Sequence, residues 1–290
     1  MIRYAITLEE LHRRIDRLAP KWRAIARRKC DEFRKARRYQ ETAGTWSQIK
    51  QVYIDLQGGK CGYCERSFGW DEKSRIEHDV EHFRPKSSVR KWPPRGQSRS
   101  YPFETGPESS GGYYLLAYNC LNYLAACKKC NSPYKSAYFP IGGARRVTDS
   151  EDFGEIAAEQ PLLLYPMSDL DEDPEELITF LGMLPVPAAG RGHRQRRARV
   201  TIDFFDLDIR EELLRDRAIL IKAIYIAFED RQHADPLRRR AAEQTLCQIE
   251  LPILEHRNCA RSFYRLCQSD PAAARQHFEA AIAYLDSLGS

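Results

Sequence analysis

No stretch of this 290-residue chain approaches the ~20 consecutive apolar residues that a bilayer-spanning helix needs, so a helical membrane protein is not the expectation. The opening MIRYAITLEELHRRIDRL lacks the continuous apolar core of a secretory signal, and a cytoplasmic protein follows as the default reading. Glycine and proline are held to sixteen each while 42% of residues are hydrophobic, which excludes collagen-like and mostly disordered chains. Lysine and arginine are absent from residues 147–180, although the chain has 46 basic against 41 acidic side chains. The counterweight lies at the other end: residues 1–40 carry thirteen basic and five acidic side chains, a local net of +8. Such a segment suits a phosphate backbone and equally suits a solvated helix face.

What the chain has is cysteine, nine in all. An odd number without a signal peptide reads as thiols and metal ligands rather than disulfides. Cys61-Gly-Tyr-Cys64 and Cys127-Lys-Lys-Cys130 are two CxxC pairs, and four thiolates so spaced close a tetrahedral shell around one structural Zn²⁺. Cys259 and Cys267 fall in an apolar helical pattern and are read as small core residues.

The spacing of Ile15, Leu18, Trp22 and Ile25 predicts an amphipathic N-terminal helix, with a second over about Thr45 to Leu56 that Gly58-Gly59 stops. From Cys61 to Ile141 the chain is β-prone and aromatic, broken by a Pro/Gly/Ser-rich loop at 91–112. Residues 146–205 predict an irregular connection with a small strand pair near Ile178 to Val186. Helical spacing returns at Ile209 and predicts a closing bundle of three or four helices. The expected partition is 1–57 basic and helical, 58–145 the zinc-bearing core, 146–205 connection, and 206–290 helical.

Between the CxxC pairs lies His78-Asp79-Val80-Glu81-His82-Phe83-Arg84-Pro85-Lys86, and around the second lies Asn119 to Asn131. A shared zinc pins the two segments together, so that Glu81-His82 faces Asn131 across some fifty residues. With Glu81-His82, Asn122 and, nine positions on, Asn131, the chain resembles HNH nucleases of the ββα-metal superfamily, in the HNN variant, over about residues 61–140. CGYCE, VEHFRPK, GYYLLAYN and CKKCNSPYKSAYFP, with the preceding Trp46-to-Gln57 helix, resemble more narrowly the HNH subunit of Septu-type and retron-associated anti-phage systems. Cys120, where an aromatic residue is expected, and the strongly basic first forty residues depart from that pattern.

The resemblance implies an α+β protein with a zinc-stabilised ββα-metal core embedded in N- and C-terminal helices, hydrolysing phosphodiester bonds of DNA as a defence effector beside a partner ATPase. The residue types make chemical sense of it. His82 suits a general base, since imidazole titrates near ~6.5. Glu81 and Asn131 offer hard oxygens for Mg²⁺ or Mn²⁺, and Asn122 is read as holding the loop and orienting His82. Arg84, Lys86 and Lys135 are read as nucleic-acid contacts. His78 is read as a supporting residue, Asp79 either as a further carboxylate for the metal pocket, since residues 79 and 81 share a strand face, or as structural, and Tyr113, Tyr114 and Tyr118 as core rather than stacking platforms. The Arg191–Arg199 run is read equally as a nucleic-acid contact or an exposed linker. The competing functions are a stand-alone nuclease, restriction-like or RNA-cleaving, and a zinc-stabilised nucleic-acid-binding or adaptor module without catalysis.

Overall fold

Pro20 sets how the N-terminal segment folds. The computed structural model has two helices there, α1 (Leu8–Leu18) and α2 (Trp22–Ala36), where the periodicity alone predicts one. Proline disfavours helical geometry in the residue before it, and Ala19 accordingly leaves the helix at φ −141° and ψ 76°. The structure describes residues 1–40, 44–69, 78–146, 150–188 and 190–289, and of His78 only the backbone.

The Thr7 hydroxyl caps α1 by accepting the Glu10 N–H at 3.2 Å, with Glu9 and Glu10 in the first turn and Arg17 in the last, as the helix dipole favours. Leu11, Ile15, Trp22, Ala26 and Phe33 form the buried stripe of α1 and α2. The Trp22 ring lies 6.0 Å from that of Tyr118 and 6.2 Å from that of Tyr123. The basic N-terminal segment is therefore part of a packed core that turns its cations outward.

The chain divides into two compact units. One comprises Arg3–Tyr63 and Ser67–Pro174; the other comprises Met1–Ile2, Cys64–Arg66 and Glu175–Ser290. In the first unit a 3₁₀ turn, Trp46–Ile49, leads into α3 (Lys50–Leu56), and Gly58 and Gly59 end it with φ of 62° and 72°. Strands β1 (His78–His82) and β2 (Tyr123–Cys127) pair antiparallel, with His78 opposite Cys127 and His82 opposite Tyr123. The element after β2, Cys130–Lys135, is a single π-helical segment with Pro133 inside it. A ββα core would place an α-helix there; proline supplies no N–H to such a helix and crowds its preceding turn. The short helix α4 (Phe153–Ile156) follows, capped by Asp152.

The long segment of the second unit opens with most of α5 (Pro174–Leu177) and the strand pair β3 (Ile178–Leu181) and β4 (Leu184–Pro187), where the sequence predicts one. The connection expected up to 205 is irregular only in part, because Gly192–Phe204 forms α6. Arginine is a good helix former, and here Arg197 is buried while Arg199 pairs with Asp203 and, at 2.7 Å, with Asp208. The arginine run is thus a helix with buried and paired members rather than an exposed linker. Then come α7 (Glu211–Asp230), α8 (Pro236–Cys247), α9 (Arg257–Ser269) and α10 (Pro271–Ser287). Prolines open α8 and α10, where Asp235 and Asp270 cap the first turn. Cys259 and Cys267 are fully buried among them.

Candidate active site

The Cys61, Cys64, Cys127 and Cys130 side chains converge, with one sulfur from each lying within 4.8 Å of the others. None forms a disulfide, and all but Cys127 are buried. Zinc–sulfur bonds of ~2.3 Å in a tetrahedron space the sulfurs about 3.8 Å apart, so the donor set could hold a structural zinc with no open position left. Backbone hydrogen bonds hold the ligand loops in place. The Gly62 N–H donates to Ala125 O at 3.0 Å, and the Cys130 N–H points at Cys127 Sγ at 3.5 Å. Gln57, fully buried at the end of α3, donates to Lys60 O and Ala125 O and accepts the Ala125 N–H, at 2.8, 2.8 and 2.7 Å. That clip was missed in the sequence, because glutamine at a helix end is otherwise unremarked.

Glu81 and His82 end β1, and both are buried. The His82 Nε2 lies 3.0 Å from Ala117 O. A carbonyl only accepts, so Nε2 carries the proton and Nδ1 keeps its lone pair. Burial, reinforced by the Lys86 ammonium, holds the imidazole well below its ordinary range, so it is neutral near pH 7. The Trp46 and Tyr123 rings pack edge-on against it at 4.8 and 4.9 Å.

Asn122 supplies the frame. Its Oδ1 accepts the Arg84 N–H at 2.9 Å, and its Nδ2 donates to Arg84 O and Leu116 O at 3.0 and 3.2 Å. It therefore ties the exit of β1 to the turn whose next residue, Ala117, orients His82. Gly112 lets that turn return close to β1, for a Cβ there would lie 2.3 Å from the Lys86 carbonyl carbon. Tyr113, Tyr114 and Tyr118 are buried, as expected of core residues.

The side chain that reaches Glu81 is Lys135, with Nζ 3.3 Å from Oε1 and 3.4 Å from His82 O. Burial pushes Glu81 up to about 7 against the pull of Lys135, and burial likewise lowers Lys135. Asn131 lies half-buried four residues before Lys135 in the same π-helical segment. Asp79, on the same strand, is half-exposed and 3.8 Å from Lys128. The His78 side chain lies outside the described residues.

Two of the three cations read as phosphate contacts are internal. Lys135 is fully buried, as described. Arg84 is 2% exposed, ion-paired with Glu159, and stacked over Tyr113 and Phe139 at 5.0 and 4.7 Å. Glu159 also accepts the Tyr113 hydroxyl at 2.8 Å. Each of the two is paired with a carboxylate away from solvent, so neither stands exposed to a phosphate backbone in this structure. Lys86 remains half-buried near the surface, its Nζ over Trp46 at 4.5 Å and over Tyr39 at 5.4 Å.

No protein-family model matches the chain, and no solved structure matches it. It is similar to Septu protein PtuB of Bacillus mycoides (strain KBAB4), at 34% identity over 133 residues, which are 46% of this chain and 38% of that protein. The similarity thus spans well under half the relative's length. Among the described residues no helix is long and apolar enough to cross a membrane.

Proposed function

We propose that this chain is a metal-dependent endonuclease of the HNH type that hydrolyses phosphodiester bonds of DNA, as the nuclease effector of an anti-phage defence system. The observation that carries the reading is the imidazole of His82, held by Ala117 O in the tautomer that leaves Nδ1 free as a base, beside a buried carboxylate. His82 takes a proton from the attacking water at Nδ1, and Asn122 keeps Ala117 in place to hold that orientation. Glu81 and Asn131 would hold a Mg²⁺ or Mn²⁺ ion, whose oxygen-loving chemistry suits a carboxylate and an amide. That ion supplies positive charge for the phosphate oxygens. The four converging cysteines would hold a structural Zn²⁺, which would fasten the two halves of the site.

The role in defence rests on the sequence motifs and on the similarity to Septu protein PtuB, and a partner ATPase on the resemblance of the motifs alone. A second reading, a zinc-stabilised binding or adaptor module without catalysis, is favoured by one observation: Lys135 already neutralises Glu81 in a buried pair. Plasmid nicking separates the two. The nuclease reading expects Mg²⁺-dependent nicking that EDTA abolishes. His82→Ala should lower the rate by ~10²–10⁴-fold with DNA affinity little changed. No cleavage by the parent with its partner present would favour the adaptor, whereas a His82→Ala protein cutting at the parental rate would overturn His82 as the base.

A further inference from the structure

We propose that Asp216, Glu255 and His256 form a binding site for a divalent transition-metal ion of the Zn²⁺ class, separate from the four-cysteine cluster. All three belong to the unit that carries the C-terminal helices. Asp216 lies on α7, and Glu255-His256 ends the loop that enters α9. One donor atom from each lies within 4.8 Å of the others.

The imidazole points to a ligand. His256 is 2% exposed, and its Nε2 finds no hydrogen-bond partner. It faces Asp216, whose Oδ2 is 3.9 Å away, too far for a hydrogen bond. Two donors bound to one metal at ~2.0–2.2 Å lie about 3.4 Å apart in a tetrahedral shell, so a small inward movement suffices. A metal would satisfy the buried nitrogen, which the fold otherwise leaves unpaired. One imidazole with two carboxylates is a borderline donor set, suited to Zn²⁺ and its neighbours rather than to Mg²⁺ or Ca²⁺. Three protein ligands leave a position for water.

Competing cations surround the acid. Arg66 Nε lies 2.9 Å from Asp216 Oδ2, and Arg215 Nη2 lies 3.4 Å from Asp216 Oδ1. Both arginine side chains are more than a third exposed, at 38% and 50%, so each is free to turn into solvent. Arg217 is buried, but it is committed to the carbonyls of Leu207 and Met183 at 2.6 and 3.3 Å. Arg66 thus holds the place of positive charge that the metal would take, and the two compete for one oxygen.

The experiment is equilibrium dialysis of the full chain, its cysteine cluster loaded, against Zn²⁺, followed by metal analysis. The parent should hold one equivalent more than Glu255→Gln or Asp216→Asn, both of which alter half-buried positions. Arg66→Gln should bind that additional equivalent roughly two- to five-fold more tightly, the size of a partly exposed charge interaction. Equal stoichiometry in the parent and both carboxylate variants would overturn the site, whether or not His256→Gln folds. Unchanged affinity in Arg66→Gln would overturn the competition. The readout is metal content, so it stands apart from whether the chain cuts DNA.

Discussion

Asn122→Ala tests the frame that positions His82, and the structure sets its cost. The side chain is fully buried and makes three hydrogen bonds, from Arg84 N and to Arg84 O and Leu116 O. The truncation strands all three backbone groups. Each buried group left unpaired costs about 1–3 kcal/mol, so the sum is at least ~3 kcal/mol even if water enters part of the gap. Against a typical ~5–15 kcal/mol of total stability this is a large fraction. Asn122→Asp should be no milder, because it keeps the acceptor for Arg84 N but turns the donor into a second acceptor facing two carbonyls. Urea unfolding at saturating Zn²⁺ measures both. With a denaturant slope of roughly 3 kcal/mol per molar, the midpoint should fall by about 1 M or more. A midpoint within ~0.2 M of the parent in Asn122→Ala would show that the three bonds do not hold this loop, and the placement of Ala117 by Asn122 would fall with it.

Three further outcomes are expected. Cys127→Ser should lose the structural Zn²⁺ and with it the cooperative fold of the hairpin, since metal affinity and folding free energy are linked; metal analysis with circular dichroism checks this, and a variant that retains both would refute it. Because burial raises Glu81 to about 7, a divalent cation must displace a proton below that pH. Apparent Mn²⁺ affinity should therefore weaken about tenfold per pH unit below 7 and level off above it, while His82, held low, stays neutral; calorimetry across that range would expose a flat profile as the contrary result. Deleting residues 1–40 would remove Trp22 and Phe33 from the core, so the basic face is better tested by changing exposed Arg17, Arg27, Lys35 and Arg38 to Gln. The slope of log affinity for DNA against log salt should flatten by about 0.9 for each phosphate no longer neutralised, and an unchanged slope would make that face simply solvated.

Much of the candidate site is legible before folding, because it is written in spacing. Two CxxC pairs announce a shared tetrahedral ion whatever lies between them, and their sulfurs do converge. Glu81-His82 and Asn122 are visible as types suited to a base, a carboxylate ligand and a loop fastener. The roles of the cations are not visible. Arg84 and Lys135 look like phosphate contacts in the sequence, since nothing local distinguishes a solvated cation from a buried one. Their partners, Glu159 and Glu81, lie 75 and 54 positions away. Trp46 and the Ala117 carbonyl were likewise missed as neighbours of His82, the first because an aromatic residue in a helix reads as core, the second because a backbone atom has no sequence signal.

The sequence by itself determined the local elements and the inventory of donors. Proline placement split the first helix and kept the segment after β2 from becoming an ordinary α-helix, apolar spacing marked the C-terminal helices, and cysteine spacing named the four thiols that converge. These follow from interactions a few residues apart, where propensity, caps and steric exclusion act. The tertiary structure alone decided protonation and charge: which nitrogen of His82 holds its proton, why Glu81 titrates near neutrality, and that Arg84 faces Glu159 rather than water. Those depend on desolvation and on partners brought together across tens of residues, and a buried charge takes its properties from what surrounds it in space.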